Sequence, residues 1–223
     1  MKKVLGILVY VCMCAGLHAQ EVEDPDRPGC FTTYHVNGHV LEDGCYDQEH
    51  RKTGSWRTYT DKGTPTTITN YKNGLLDGLM ITFTEHGEIE SEANYMDGML
   101  QGARKAYGEH GIVEVEEHFR HGQYDGKQIK YFSTGRVQEI SMYANGVREG
   151  EYKYYLMSGQ VAYFYNYHNG KKEGKAVVYF SNGKIKEEGE YRDDEKFGIW
   201  SEYDNEGNLV KTVKYRHGKA IEK

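Results

Sequence analysis

Tyr167-His168-Asn169-Gly170-Lys171-Lys172-Glu173-Gly174 runs on through Val177-Val178-Tyr179 and Ser181-Asn182-Gly183 to Tyr191, and this stretch recurs along the chain. Tyr71, Tyr95, Phe119, Tyr143, Tyr167, Tyr191 and Tyr215 stand 24 residues apart. With that leading aromatic as position 0, position 7 is Gly54, Gly78, Gly102, Gly126, Gly150, Gly174 and Gly198. Position 12 is aromatic in Tyr59, Phe83, Tyr107, Tyr131, Tyr155, Tyr179 and Tyr203. Position 16 is Gly63, Gly87, Gly111, Gly135, Gly159, Gly183 and Gly207, and position 18 is aliphatic from Ile89 to Leu209, with Pro65 in the first copy. Position 3 is Gly74, Gly98, Gly122, Gly146, Gly170 and Gly218, but Asp194 in the last full copy. A fixed period in the range of about 20–50 residues marks a stacked array.

The period is too short for two packed helices and suits two strands with two turns. Lys175–Phe180 and Val161–Tyr167 are rich in Val, Tyr and Phe and bounded by glycine, as strands are. Ile89, Ser91, Ala93 and Tyr95 alternate with Glu90, Glu92 and Asn94, the period of a half-buried antiparallel strand. Pairing position 12 with position 18 leaves a three-residue loop ending at the position-16 glycine, where a left-handed residue is needed. The expected fold is all-β, a tandem array of antiparallel β-hairpins. Stacking the copies places the position-12 aromatics in a ladder expected to supply most of the core.

The aromatic-x-x-Gly-x-x-x-Gly stretches Tyr71–Gly78, Tyr143–Gly150 and Tyr167–Gly174 are each followed by an aromatic, an Asn-Gly or similar turn, and an aliphatic. Over residues 46–218 this resembles the MORN-type repeat, in the divergent bacterial form of YwqK-type antitoxin proteins. The resemblance implies a MORN-like solenoid or extended meander that serves as a spacer, a lipid-associated scaffold or a partner-binding module. It also implies a toxin-neutralising or immunity-like role.

Residues 1–19 read as a signal peptide: Lys2 and Lys3, an apolar run from Val4 to Leu17, and Ala19 before the cut. The run is short for a membrane span, and the residues before Cys12 and Cys14 are not those of a lipoprotein site. Residues 20–29 are acidic and proline-containing and read as a disordered or extended lead-in. Cys30 and Cys45 are the cysteines left after processing, and an oxidising compartment favours their disulfide. Their spacing is not that of a redox pair. The bridge would staple residues 30–45, a capping hairpin around Asn37-Gly38, over the first repeat. Residues 46–214 are seven repeats, and 215–223 are a partial repeat and tail.

Aromatics are densest between 143 and 167, where Tyr152, Tyr154, Tyr163, Phe164 and Tyr165 are the candidate binding residues. Trp56 and Trp200 share position 9 of the first and last full copies. They either cover the ends of the ladder or form ligand-stacking platforms. Asp193-Asp194-Glu195 replaces the Asn-Gly turn as a solvated acidic turn and lacks the spaced ligands of a calcium loop.

Chemistry is not announced. His110, His118 and His121 fall across a strand end and a turn with no cysteine beside them. No Gly-x-Ser-x-Gly elbow is present, and Gly170–Gly174 lacks the Lys-Ser/Thr ending of a phosphate loop. No metal, cofactor or catalytic residue is expected. The formal charge of −6, about −8 without Lys2 and Lys3, argues against nucleic acid. The Lys184–Lys186 and Lys211–Lys219 clusters allow weak membrane-surface contact. The leading expectation is an exported, non-enzymatic scaffold that binds a protein. The alternative is a structural envelope protein associated with lipid or glycan.

Overall fold

A computed structural model of the protein describes residues 20–221, built of antiparallel strands and tight turns with one 3-10 turn at Glu109–Gly111. The expected signal peptide lies outside the described residues. The chain divides into two units, residues 1–102 and 103–223, a division the unbroken 24-residue period does not announce. The first contains β1 (Gln20–Glu23), β2 (Cys30–Tyr34), β3 (Val40–Tyr46), β4 (Lys52–Tyr59), β5 (Pro65–Lys72), β6 (Leu75–Phe83), β7 (Ile89–Met96) and the start of β8 (Met99–Tyr107). From β1 to β7 each strand pairs antiparallel with the next. The second contains β9 (Val113–Arg120), β10 (Gln123–Tyr124), β11 (Gly126–Tyr131), β12 (Val137–Ala144), β13 (Val147–Tyr155) and β14 (Val161–His168). It continues with β15 (Lys171–Tyr179), β16 (Ile185–Arg192), β17 (Glu195–Tyr203), β18 (Leu209–Arg216) and β19 (Lys219–Ile221). There β9 pairs with β10 and β11, and β11 to β19 pair in chain order.

Two turns make the meander. In the first, the Phe180 N–H donates to the Lys184 carbonyl at 2.8 Å and the Gly183 N–H to the Phe180 carbonyl at 2.9 Å. Ser181-Asn182-Gly183 is the loop, Gly183 takes φ +84°, and Tyr179 stands opposite Ile185 beside a register shift. This is the three-residue loop expected from the period. In the second, Asn169 and Gly170 take φ of 50° and 80°, the two-residue turn whose twist matches its strands.

The position-7 glycines lie within strands, not in turns. Gly174 lies inside β15 with φ +82°. On its β14 side the pairing jumps from Tyr165↔Ala176 to Tyr167↔Lys172, so the glycine absorbs a bulge. A residue with a Cβ meets a steric penalty at that φ.

The core also differs from expectation. Phe83, Tyr107, Tyr131, Tyr155, Tyr179 and Tyr203 are all half-buried. Buried residues fall instead mostly at positions 9 and 22, opposite one another on neighbouring strands, with Ala162 and Val177 buried on the other face. In the first unit this row is Trp56, Thr69, Met80 and Ala93. In the second, Gln128, Ser141, Ala176 and Trp200 are buried along it, with Tyr152, Tyr165, Gly189 and Val213 half-buried between them. Trp56 and Trp200 each lie over a glycine, Gly44 and Gly189, and Tyr152 stands opposite Ser141 on one side and Tyr165 on the other. The Cβ that an alanine would add at Gly44 comes 2.2 Å from Trp56, and at Gly189 2.4 Å from Trp200. Ring and glycine touch directly. Position 12 misses this core because it stands three residues from position 9 on the same strand, an odd offset that sends it to the other face. There the Tyr203 hydroxyl donates to Glu188 Oε1 at 2.9 Å.

The acidic lead-in is extended, but it is not free. β1 pairs with β2 from Gln20↔Tyr34 to Glu23↔Phe31. Asp24 closes the following turn, accepting from Asp26 N–H at 3.0 Å and from Arg27 Nε at 2.6 Å. A strand edge left open by β2 outweighs the low hydrophobicity of the segment. Cys30 and Cys45 face one another on β2 and β3 and are disulfide-bonded.

Candidate functional site

One face of the second unit gathers the tyrosines of the densest copy. Alternation along β13 and β14 puts Tyr152, Tyr154, Tyr163, Tyr165 and Tyr167 on the same side. Their ring centroids lie 6.1 Å apart for Tyr152–Tyr165, 5.7 Å for Tyr154–Tyr163 and 6.3 Å for Tyr163–Tyr165, the last pair nearly parallel at 9°. Tyr191 joins through Tyr165 at 6.1 Å. Four of the five predicted residues are thereby brought together. Phe164 is not among them, since its odd offset sends it to the opposite face, where Lys153 Nζ lies 5.6 Å from its ring. Tyr163 is 42% exposed; its neighbours are half-buried, so the rings form a platform rather than a closed core.

Trp56 and Trp200 are core residues, 3% and 2% exposed. Their indole N–H groups donate to the carbonyls of Cys45 at 3.1 Å and Glu190 at 3.0 Å. Neither is a surface platform, because a glycine covers one face and a lysine the other: Lys52 Nζ is 3.8 Å from Trp56 and Lys196 Nζ 3.9 Å from Trp200.

Those lysines belong to a set that the sequence reading missed. Lys52, Arg148, Lys172 and Lys196 all occupy position 5, and each lies over the aromatics at positions 0, 9 or 22. Arg148 Cζ is 5.6, 5.2 and 4.9 Å from the rings of Tyr143, Tyr152 and Tyr167. Lys172 Nζ is 4.2 Å from Tyr165 and 5.0 Å from Tyr191. Such contacts contribute about 0.5–1 kcal/mol when exposed and about 2 when desolvated. The signal was available as a basic residue five positions after the leading tyrosine. Its meaning depends on knowing that positions 0, 5 and 9 share a face.

The turns hold these cations in place. The Gly170 N–H donates to the Arg148 carbonyl at 2.9 Å, and the Asp194 N–H to the Lys172 carbonyl at 3.1 Å. Asp194 adds a second tie, its Oδ1 accepting from the Lys172 N–H at 2.8 Å. The aspartate that replaces glycine thus clamps the backbone of a site residue while it holds φ +68°. Glu149 accepts from the Asn169 N–H and from His168 Nδ1, both at 2.8 Å.

Burial pushes the Tyr152 and Tyr165 hydroxyls up to about 12. At neutral pH they are protonated and serve as hydrogen-bonding and stacking groups, not as bases. Burial works against the Arg148 charge, but the Tyr143 and Tyr167 hydroxyls hold its pKa above the ordinary value. Arg148 Nη2 donates to Tyr143 Oη at 3.2 Å, while its Nε is buried without an acceptor. Beside it lies a cleft of about 110 Å³, lined by Tyr124, Gln128, Glu139, Ser141 and Tyr143 among others. Among the described residues no group of three His, Cys, Asp or Glu is placed to hold a metal, and no helix is long and apolar enough to cross a membrane. The chemistry this face offers is recognition: aromatic surface, hydroxyl donors and fixed positive charge.

The family model described as a MORN repeat variant matches residues 76–97 and 172–193. The two matches lie in the same phase of the period, four copies apart, and the second begins at Lys172 and ends at Asp193. The chain is thus MORN-like in its repeats, and MORN repeats are associated with protein and membrane interactions. No curated protein matches the chain.

Proposed function

We propose that the chain is an exported, non-enzymatic repeat scaffold that binds a protein partner through the tyrosine face of its second unit. The observation that carries this reading is the gathering of Tyr152, Tyr154, Tyr163 and Tyr165 on one partly exposed face between Arg148 and Lys172. Tyrosine and arginine are the residues that dominate binding energy at protein interfaces. Export is supported by the Cys30–Cys45 bridge, which suits an oxidising compartment. Toxin neutralisation, implied by the antitoxin resemblance, is the finer form of the same proposal, with the toxin as partner.

The test is a comparison of complexes formed in the source cells by tagged wild-type chain and by a Tyr154→Ser/Tyr163→Ser variant. One protein at fixed stoichiometry, lost with the double variant, supports the proposal, and its identity decides whether the role is immunity. Co-sedimentation with lipid or glycan, unchanged by the variant, supports a structural envelope protein instead.

A further inference from the structure

The core row opens beside Arg148. Where other copies set Trp56, Tyr152 or Trp200 at position 9, β11 sets Gln128, opposite Ser141 of β12. The two are 7% and 4% exposed and form the floor of the cleft of about 110 Å³. That is the room of about three or four water molecules at roughly 30 Å³ each. The polar groups around it are not equally satisfied. Gln128 uses both ends of its amide: Oε1 accepts from the His118 N–H at 3.1 Å, and Nε2 donates to the His118 carbonyl at 3.0 Å. Glu117 uses both oxygens, one in a close pair with Arg104 and the other accepting from the Tyr124 hydroxyl at 2.8 Å. Two groups keep capacity. Arg148 Nε is buried without an acceptor, while Tyr143 Oη and the rings of Tyr143, Tyr152 and Tyr167 hold the guanidinium in place. Glu139 pairs with Lys130 at 3.8 Å, beyond hydrogen-bond reach. An unpaired buried donor on a cation is costly unless an acceptor arrives.

A guest that answers both groups carries an acceptor and a donor. A carboxylate brings acceptors alone and meets Glu117 and Glu139; an ammonium or guanidinium brings donors alone and meets Arg148 and Lys130. Each sign of charge is opposed by two lining groups of its own sign. The unit as a whole adds no bias, since Lys and Arg balance Asp and Glu almost evenly over residues 103–223. A hydroxyl puts both functions on one oxygen and leaves most of the volume empty. A primary amide is neutral, carries a carbonyl oxygen beside an NH2 group, and fills more of the space. The cleft adjoins the tyrosine face, because Tyr152 stands opposite Ser141 and beneath the Arg148 guanidinium. A side chain seated in a pocket within a contact face is where protein interfaces concentrate their binding energy.

We propose that this cleft is the anchor pocket of the face and takes the side-chain amide of an asparagine or glutamine of the partner protein, its carbonyl oxygen accepting from Arg148 Nε and its NH2 group donating to Glu139. This rests on the reading of the face as a protein-binding surface and names the chemistry of what it grips.

The test uses the full chain, isotope-labelled, with propionamide as the probe and propionate and propylammonium as charged controls of similar size. The arginine Nε–Hε resonances are the readout, and Arg148→Lys assigns the one that matters by its loss. Propionamide is expected to shift the Arg148 resonance saturably, with a Kd on the order of millimolar for so small a group, and neither ion is. Ser141→Leu, which fills the floor, is expected to abolish the shift. Glu139→Ala is expected to weaken propionamide by about tenfold and to admit propionate, whose repelling neighbour is gone. Near-ultraviolet dichroism of the tyrosines checks the fold, and Glu139→Ala keeps the test open should Ser141→Leu not fold. A resonance unmoved by propionamide, as for a cleft filled by water alone, or moved as far by propionate, overturns the proposal. The partner captured in the source cells is the second readout. Capture that falls with Ser141→Leu or Glu139→Ala supports the anchor. Capture that depends on Tyr163 and is unchanged by both variants overturns it and leaves the protein-binding reading standing. Propionamide bound by a chain that captures no protein overturns that reading, and the anchor with it.

Discussion

Gly189→Ala isolates the packing that holds the second unit together. Gly189 is not among the residues with positive φ, so alanine suits its backbone. By conformational entropy alone the change would stabilise by about 0.4–1 kcal/mol. Sterically it cannot. The new Cβ falls 2.4, 2.5 and 2.6 Å from Trp200 Cδ2, Cε2 and Cγ, against an ordinary carbon–carbon separation of about 3.5–4.0 Å. The indole must retreat by about 1 Å, yet it is 2% exposed and tied to the Glu190 carbonyl at 3.0 Å. Overpacking of this kind costs about 1–3 kcal/mol, and a rigid ring places it near the upper end. For a chain of this length, about 3 kcal/mol lowers the melting temperature by about 6–12 °C. Thermal unfolding followed by tryptophan fluorescence and far-ultraviolet dichroism measures it. In a Trp200→Leu background the same alanine is expected to cost less than about 1 kcal/mol, since a contact pair is non-additive. Gly159→Ala is the contrast: φ is +90° with nothing within 4 Å, so its cost is conformational, about 1–2 kcal/mol, in either background. A Gly189→Ala protein that melts at or above wild type, or loses equally in both backgrounds, refutes the large-over-small core.

Reduction of Cys30–Cys45, which lie 15 residues apart, is expected to remove about 3 kcal/mol from the first unit; denaturant unfolding with and without reductant reads it, and an unchanged midpoint counts against the staple. The Glu149–His168 pair predicts a pH window, because hydrogen bonds lower the Glu149 pKa from 4.5 and raise the His168 pKa from 6.5. Its contribution is lost as pH falls through the depressed glutamate value and as pH rises through the elevated histidine value. The melting difference between wild type and His168→Gln should therefore peak between those limits and vanish well above pH 7, and a difference that grows with alkalinity would contradict it. Absorbance at 295 nm should show a late class of tyrosines ionising about pH 12, with Tyr124, Tyr152 and Tyr165 in it; Tyr152→Phe and Tyr165→Phe should each shrink that class.

The turns were legible because they depend on one residue each. A left-handed loop end asks for glycine, and Gly183 recurs at every copy, so strands and register follow from the period. The core was not legible, for the converse reason. Positions 9 and 22 hold Trp200 over Gly189, Tyr152 beside Ser141 and Ala176 beside Tyr165. The residue changes from copy to copy, from Ala176 to Trp200 at position 9 and from Tyr165 to Gly189 at position 22, so no single column marks the core. The repeated aromatic at position 12 therefore drew the core to itself, although it is half-buried throughout. Phe164 was grouped with the tyrosines by density, where alternation separates it. β1 escaped notice because its composition is that of a solvated linker and it lies outside the 24-residue period. The position-5 cations were plain in the sequence but silent until the register set them over the rings. The seven-repeat count rests on the same columns as the turns. The division at residue 102 has no mark in them.

The measurement closest to the central claim is photo-cross-linking from a probe at Tyr163, on the tyrosine face, against one at Ile199, which is 65% exposed on the opposite face. The probes are placed in the full chain in its source cells. The account predicts one protein captured from Tyr163 and not from Ile199. Capture of the same protein from both positions, or of lipid alone from Tyr163, would contradict it.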